Sequence, residues 1–544
     1  MTGYAQSVLR QVRRGTWIAT VSVPVVLLSL GQPTAGAEFA SAPSPPQCGG
    51  LDATIVGTDG SDALTGTPGD DVIVALGAND VVFGHRGNDV ICGGDGADVL
   101  LGDRGKDIIY GGLDGRGHCC PPGPAGPRGD SVDGGRGNDT MYAGADPNDV
   151  RGAEYLVFDG ARDGVDVLMF AGRSIGQATG QGNDTFVGFN SVFGSAHADT
   201  ITTYPDRGII HSLEGDDVIR TQGRWMHIAA GDGDDRVFGM HKIHTGKGDD
   251  TITLAGASSV RAGKGDDRVT GSVYRDELLA GRGDDVLAGK RHWDRLNGGK
   301  GDDLIRGGLG ADALRGKLGA DRLRGGRGND DLFPGDRAVN DAPPIVNNDW
   351  LEGGEGRDTV DYRSTMRTSG VRVDLGAGRA TLVGSDRLSS IENAIGGGAG
   401  DVLLGGAGPN VLEGTQGADL LRGRGGNDRL IPDDSFSSLN ENDIVRGGAG
   451  ADWVNYDIYK YVGPGLVVDL VAGLVTGSGR DTVSGIENVI GGEKGDLLLG
   501  DGADNILDGR GGDDDIRGRG GDDIGNGGPG DDRCVVEIAN RCES

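Results

Sequence analysis

The chain has 544 residues, 108 of them Gly, with 36% apolar and 5% aromatic residues, and 83 acidic against 52 basic side chains give a formal net charge of −31. So thin an apolar content excludes an ordinary globular enzyme core, because burial alone would not offset the entropy of ordering that much glycine. Of the 83 acidic residues 13 are Glu, which leaves 70 Asp. The shorter carboxylate sits in tight turns and offers a hard oxygen close to the backbone, so the bias points to divalent cations such as calcium. The same charge argues against nucleic acid or an anionic membrane as the main partner.

Residues 1–37 read as an export signal: Arg10, Arg13 and Arg14 precede an apolar run from Trp17 to Leu30, and Ala35-Gly36-Ala37 offers a cleavage site. Arg13-Arg14 also fits a twin-arginine signal, with general secretion the preferred route. A membrane anchor fits less well, because the run is short and Pro24 interrupts it, and no other segment could span a bilayer. Losing three arginines takes the exported chain from −31 to −34. Its expected location is extracellular, where six Cys favour disulfides.

Residues 38–58 form an N-terminal cap segment, which a Cys48–Cys92 bridge would tie to the first coil. From 59 to 114 Asp62, Asp71, Asp80, Asp89, Asp98 and Asp107 follow at steps of nine, with Leu64, Ile73, Val82, Ile91, Leu100 and Ile109 two positions beyond them. Residues 115–130 read as a Pro/Gly linker, too short for a collagen helix, and its Arg128-Gly129-Asp130 adhesion-like tripeptide as coincidence. Residues 131–262 are irregular. Asp139, Asp217, Asp235 and Asp250 keep the pattern there, with Asp199 eighteen before Asp217 and an aliphatic step from Ile201 to Val237, so one side of the coil keeps carboxylates that the other loses.

A second array, 263–333, carries Asp267, Asp276, Asp285, Asp294, Asp303, Asp312, Asp321 and Asp330, with Val269, Leu278, Leu287, Leu296, Ile305, Leu314, Leu323 and Leu332 at the same offset. Composition alone does not produce such a run. Asp349, Asp358, Asp401, Asp419 and Asp428 continue it through 334–438, and Asp443, Asp452, Asp496, Asp514, Asp523 and Asp532 through 439–533. A larger duplication overlies these two segments. Asp374, Asp386, Ile391, Glu392, Asn393 and Asp401 recur 95 residues later as Asp469, Asp481, Ile486, Glu487, Asn488 and Asp496. Each copy is expected to add an extra hairpin packed on the roll, a structural reading preferred to a ligand-binding one. Residues 534–544 form a C-terminal cap with a Cys534–Cys542 bridge; Cys119 and Cys120 are left unplaced, and six Cys allow 15 connectivities.

The unit is seen whole in Gly93-Gly94-Asp95-Gly96-Ala97-Asp98-Val99-Leu100-Leu101. Its glycines permit a positive-φ turn, its Asp supplies a ligand, and three residues make one short strand with the central side chain inward. Nine residues make half a coil, so the expected fold is all-β, a parallel β-roll solenoid with small β-hairpin inserts. The unit resembles the nonapeptide repeats of the RTX (repeats-in-toxin) family. The resemblance implies multiple Ca²⁺ ions between successive turns on one side of the roll, bound by the aspartates named above and by carbonyls of the Gly-rich loops. Oxygen-only ligation suits Ca²⁺ rather than Zn²⁺. For an isolated Asp the competing reading is an Asx hydrogen bond within its own turn. Family members usually leave through a one-step exporter that reads a C-terminal signal, and the N-terminal signal here departs from that.

Catalysis finds little support. Gly172-Arg173-Ser174-Ile175-Gly176 fits G-x-S-x-G without a strand-to-helix setting, no H-E-x-x-H occurs, and His197, His211, His227, His241 and His244 read as surface or turn residues. The expectation is a secreted, non-catalytic calcium-binding roll that folds on binding calcium outside the cell. The alternatives are a calcium-stiffened adhesin or cell-surface matrix protein partnered by cell-envelope components, and a secreted hydrolase with its site in residues 142–262.

Overall fold

The computed structural model describes residues 45–113, 129–143, 154–171, 174–335, 348–363, 370–381, 384–433, 441–457, 465–477 and 479–542. The export signal, Cys119, Cys120, Arg128, Gly172 and Arg173 lie outside them. Among the described residues every regular element is a β-strand, and the chain divides into two compact units, 1–232 and 233–544.

Both units are built from the same half-coil. Glycines on either side limit most strands to a few residues, and the central aliphatic of each points inward. Strand Val72–Val74 pairs in parallel with Val90–Asp95, matching Ile73 to Ile91, while Val81–Phe83 pairs with Val99–Leu101, matching Val82 to Leu100. Alternate repeats therefore stack in alternate sheets, and eighteen residues close one coil of a parallel β-roll. In the second unit Leu278, Leu296, Leu314 and Leu332 form one inner file and Val269, Leu287, Ile305, Leu323 and Leu351 the other, all at most 1% exposed. Each such side chain contributes roughly 1.5–3 kcal/mol. One per nine residues makes a thin core.

The irregular stretch is the same roll with altered coil lengths. Arg236–Lys247 pairs in parallel with Thr251–Lys264 at a separation of fifteen residues (Arg236 to Thr251), then seventeen after a bulge between Gly239 and His241. Those shortened coils erase the nine-residue period.

Among the described residues three inserts are spliced into the roll, where the duplication announces two. In the first, Asp166–Met169, Gly176–Thr179 and Asn183–Val187 run antiparallel in succession, yet the outer two pair in parallel with Thr200–Thr203 and Thr140–Tyr142. Arg372–Asp374, Arg379–Thr381 and Ser385–Ser389 repeat this between Val402–Leu404 and Trp350–Glu355. Val467–Asp469, Leu474–Thr476 and Arg480–Ser484 repeat it between Leu497–Leu499 and Ile444–Ala449. The hairpins are thus members of one sheet and do not lie on its surface. Each adds two strands, about 10 Å, to one sheet, while the opposite sheet runs straight on, as from Thr359–Asp361 to Asn393–Ile395 to Val411–Thr415.

Disulfides close both ends of the described chain. Cys48, at the corner of a hairpin of Gln47–Cys48 and Leu51–Asp52, bonds Cys92 across a Cα separation of 5.8 Å. Cys534 bonds Cys542 across 5.7 Å, and the last strands, Arg533–Val535 and Ile538–Asn540, continue the two sheets in parallel register.

Candidate metal-binding ladder

Each repeat aspartate sits where a Gly-rich turn enters a strand. In most of them Oδ1 accepts the backbone N–H of the repeat aspartate one coil back: Asp62 donates to Asp80 at 2.7 Å, Asp267 to Asp285 at 2.8 Å, Asp303 to Asp321 at 2.9 Å and Asp312 to Asp330 at 2.8 Å, while Ser258, Val371 and Leu466 are the donors to Asp276, Asp401 and Asp496. The bond joins neighbouring coils, so the Asx reading fails for this oxygen. It also bridges lengthened coils, from Asp107 to Asp139 at 2.8 Å, Asp321 to Asp349 at 2.8 Å and Asp428 to Asp452 at 2.8 Å. Asp267, Asp285, Asp303 and Asp321 lead into one sheet and Asp294, Asp312 and Asp330 into the other, so two ladders exist where the resemblance implies one.

The second carboxylate oxygen divides the rungs. In Asp80, Asp89, Asp107, Asp139, Asp250, Asp267, Asp285, Asp294, Asp303, Asp312, Asp321, Asp330, Asp358, Asp428, Asp452, Asp514, Asp523 and Asp532, Oδ2 is buried with no hydrogen-bond partner. Buried polar atoms are otherwise almost always paired. In a closed rung, by contrast, the residue four positions earlier turns its N–H onto Oδ2: Thr67 to Asp71 at 2.6 Å, Ser272 to Asp276 at 2.6 Å, Gly397 to Asp401 at 2.6 Å and Gly492 to Asp496 at 2.7 Å, with Thr58 serving Asp62 likewise. The cause is local backbone. Every open rung follows a positive-φ residue by four positions, for example Leu76 (80°) before Asp80, Gly299 (125°) before Asp303 and Arg424 (77°) before Asp428, whereas none of those N–H donors has positive φ. Asp98, Asp217, Asp235, Asp419 and Asp443 hold the same buried position and have further partners of their own. Asp349 accepts from Asp321 and donates its N–H to Asp386 Oδ1 at 3.1 Å.

Backbone oxygen completes the open rung. A Cβ added at Gly84 would lie 2.6 Å from Asp89 Oδ2 and 2.8 Å from the carbonyl oxygen of Gly102 in the next coil; at Gly102 the distances to Asp107 Oδ2 and Gly134 O are 2.5 and 2.6 Å. A side chain there would occupy the space on which the two oxygens converge. No group of three or more His, Cys, Asp or Glu converges among the described residues, so a cation must draw on carbonyls as well. All-oxygen donors of this kind fit calcium and not zinc.

Electrostatics favour a cation at these rungs. Burial, partly offset by the backbone hydrogen bond and reinforced by neighbouring carboxylates, pushes Asp303 and Asp321 up to about 7 and Asp139, Asp267 and Asp349 up to about 8. Without a counter-ion these carboxyls hold protons near neutral pH, and a bound cation would displace them.

Beside the inserts the protein supplies its own hydrogen-bond donors, neutral and cationic. The buried Tyr362 hydroxyl donates to Asp386 Oδ2 at 2.8 Å and Tyr456 to Asp481 Oδ2 at 3.0 Å. The Arg424 guanidinium grips Asp374 at 2.7 and 3.0 Å and donates to Gly405 O at 2.9 Å. Arg519 does the same to Asp469 at 2.8 and 2.9 Å and to Gly500 O at 3.0 Å, holding the Asp469 carboxyl down to about 2. Asn410 and Asn505 stand in rung positions there, each using Oδ1 to accept from the residue four before it. For the tyrosines and arginines the sequence signal is their recurrence within the duplication, whereas Asn410 also keeps the nine-residue step between Asp401 and Asp419.

Other residues fall outside the expectations. Asp130, placed in the linker, is a rung: it is fully buried and its Oδ1 accepts from Asp98 at 3.0 Å, so the tripeptide's carboxylate is not displayed. The aspartate preceding a rung forms a second, outer file of opposite sense, with Asp266 donating to Asp249, Asp284 to Asp266 and Asp302 to Asp284, each at 2.8 Å. The repeated Asp-Asp pairs were its signal. Ser174 lies between antiparallel strands of the first insert. His211 stacks on Phe193 at 4.9 Å, and burial with His227 nearby pushes its pKa down to about 4.

Comparison with known proteins gives the ladder its context. The RTX calcium-binding nonapeptide repeat matches at residues 56–91, 93–115, 125–153, 261–291, 270–305, 292–323, 306–336, 347–363, 395–430, 433–457 and 499–534, just over half of the chain. Among solved structures, a hyperactive, Ca²⁺-dependent, β-helical antifreeze protein from an Antarctic bacterium is similar at 14% identity and a TM-score of 0.22, over 55% of this chain and 83% of that one. The repeat matches and the rung geometry agree, and the chain belongs to the RTX calcium-binding nonapeptide repeat family.

Proposed function

We propose that this calcium-binding β-roll protein is exported unfolded, folds as calcium enters its open rungs outside the cell, and then acts as a non-catalytic scaffold. The rows of buried, unpartnered Oδ2 atoms carry this reading. Desolvated carboxylates stacked a coil apart oppose the metal-free fold, so cation binding becomes folding free energy. Extracellular calcium modules typically bind at about 10⁻⁴ to 10⁻³ M, which would leave the chain unfolded at cytosolic calcium and folded outside. Calcium titration of the full chain, followed by far-UV circular dichroism at neutral pH, tests this. A β signal that grows with calcium and disappears in chelator is expected, and a chain fully β-structured in chelator overturns the reading.

A further inference from the structure

In the second unit, one sheet turns a cluster of arginines to solvent on a chain whose formal net charge is −31. Arg306, Arg322 and Arg324, then Trp350, then Arg387 and Arg379, lie on five adjacent strands and are all exposed. The register places Arg322, Trp350 and Arg387 in one outward row. It also sets Arg306 directly opposite Arg324, and Arg379 opposite Arg387. Like charges facing each other across strands are destabilising. Arg324 relieves part of this by pairing with Glu352 at 3.3 Å. Arg306, Arg322, Arg379 and Arg387 have no ion pair among the described residues, although the chain has 83 acidic side chains to offer.

We propose that this face binds an acidic polysaccharide. Guanidinium forks match carboxylate, sulfate or phosphate groups two hydrogen bonds at a time. They repeat at a strand spacing of about 4.8 Å, comparable to one sugar along an extended glycan. Trp350, 49% exposed between Arg322 and Arg387, offers a flat ring on which a pyranose can stack. Duplex DNA fits poorly, because a flat sheet puts nothing into a groove. The proposal goes beyond the calcium reading and requires only a folded roll.

The test is retention of the full-length, calcium-loaded protein on immobilised dextran sulfate against neutral dextran, with the β signal confirmed in the same buffer. Sulfate esters hold calcium weakly, so retention through bridging calcium is minimised. Wild type is expected to be retained and to elute with salt, and the double variant Arg322→Gln/Arg387→Gln to bind about tenfold more weakly or worse. Should that variant lose its β signal, Trp350→Ala and Arg322→Lys/Arg387→Lys, which keeps charge but removes the forks, are expected to weaken binding with the fold intact. Equal retention on neutral dextran, folded variants that bind like wild type, or displacement by duplex DNA or anionic vesicles at lower concentration than by free dextran sulfate would overturn the proposal.

Discussion

Between Asp285 and Asp330 the roll repeats one turn, and every rung in that stretch leaves a buried carboxylate oxygen unpartnered. At the coils that carry the second and third inserts, Asp386, Asp401, Asp481 and Asp496 occupy equivalent places, but a phenol or a backbone N–H completes each of them. Both regions share the strand register and the inward aliphatics. They differ, at Asp401 and Asp496, in the conformation of the residue four positions before the rung, and at Asp386 and Asp481 in the phenol that reaches the carboxylate. The roll thus finishes a buried aspartate in two ways, one leaving an oxygen open to an ion and one supplying a donor from the chain, and either the local backbone or a neighbouring phenol supplies that donor.

Acidity should break the difference most strongly. The folded pKa values of about 7 to 8 at Asp267, Asp303, Asp321 and Asp349 lie above the ordinary value of 3.8. A raised folded pKa contributes stability below the unfolded value that is lost as pH rises through the folded one. In chelator any thermal transition should therefore be confined to acid pH, with a midpoint that falls from about pH 4 upward and is lost before about pH 8. In calcium the trend should reverse, because the cation competes with protons. Scanning calorimetry at several pH values with and without chelator checks both signs.

Substitution of rungs should follow at smaller scale. Asp303→Asn with Asp321→Asn removes two open carboxylates from one ladder; a loss of about 3–5 kcal/mol in calcium and fewer bound ions by calorimetric titration are expected. Asp401→Asn should cost about 1–3 kcal/mol through the Gly397 N–H it leaves facing an amide, with the ion count unchanged. Tyr362→Phe should be milder still, about 1–2 kcal/mol in calcium, read from denaturant midpoints, with the ion count unchanged. It would imitate the first insert, where Phe158 stands four residues after Glu154 as Tyr362 does after Asp358.

The sequence makes the periodic part legible. Aliphatics two residues after each Asp are inward because a three-residue strand has one inner position, and the eighteen-residue coil follows. The first insert is hidden because it keeps Asp184, Gly194 and Asp199 but carries Asn190-Ser191 where the others have Glu-Asn, and because the neighbouring coils change length. Open and closed rungs look alike at the aspartate itself; the distinction lies four residues back, where Thr67 and Ser272 close a rung but Leu76, His85 and Lys290 adopt positive φ at a cost normally left to Gly. Arg424 and Tyr362 act across 50 and 24 residues, a distance no local pattern reports.

The most direct test is an anomalous difference map from crystals grown in calcium. Peaks about 2.3–2.6 Å from Oδ2 of Asp303 and Asp312, with none at Asp401 or Asp496, are predicted; peaks at the closed rungs, or none from Asp285 to Asp330, would contradict the account.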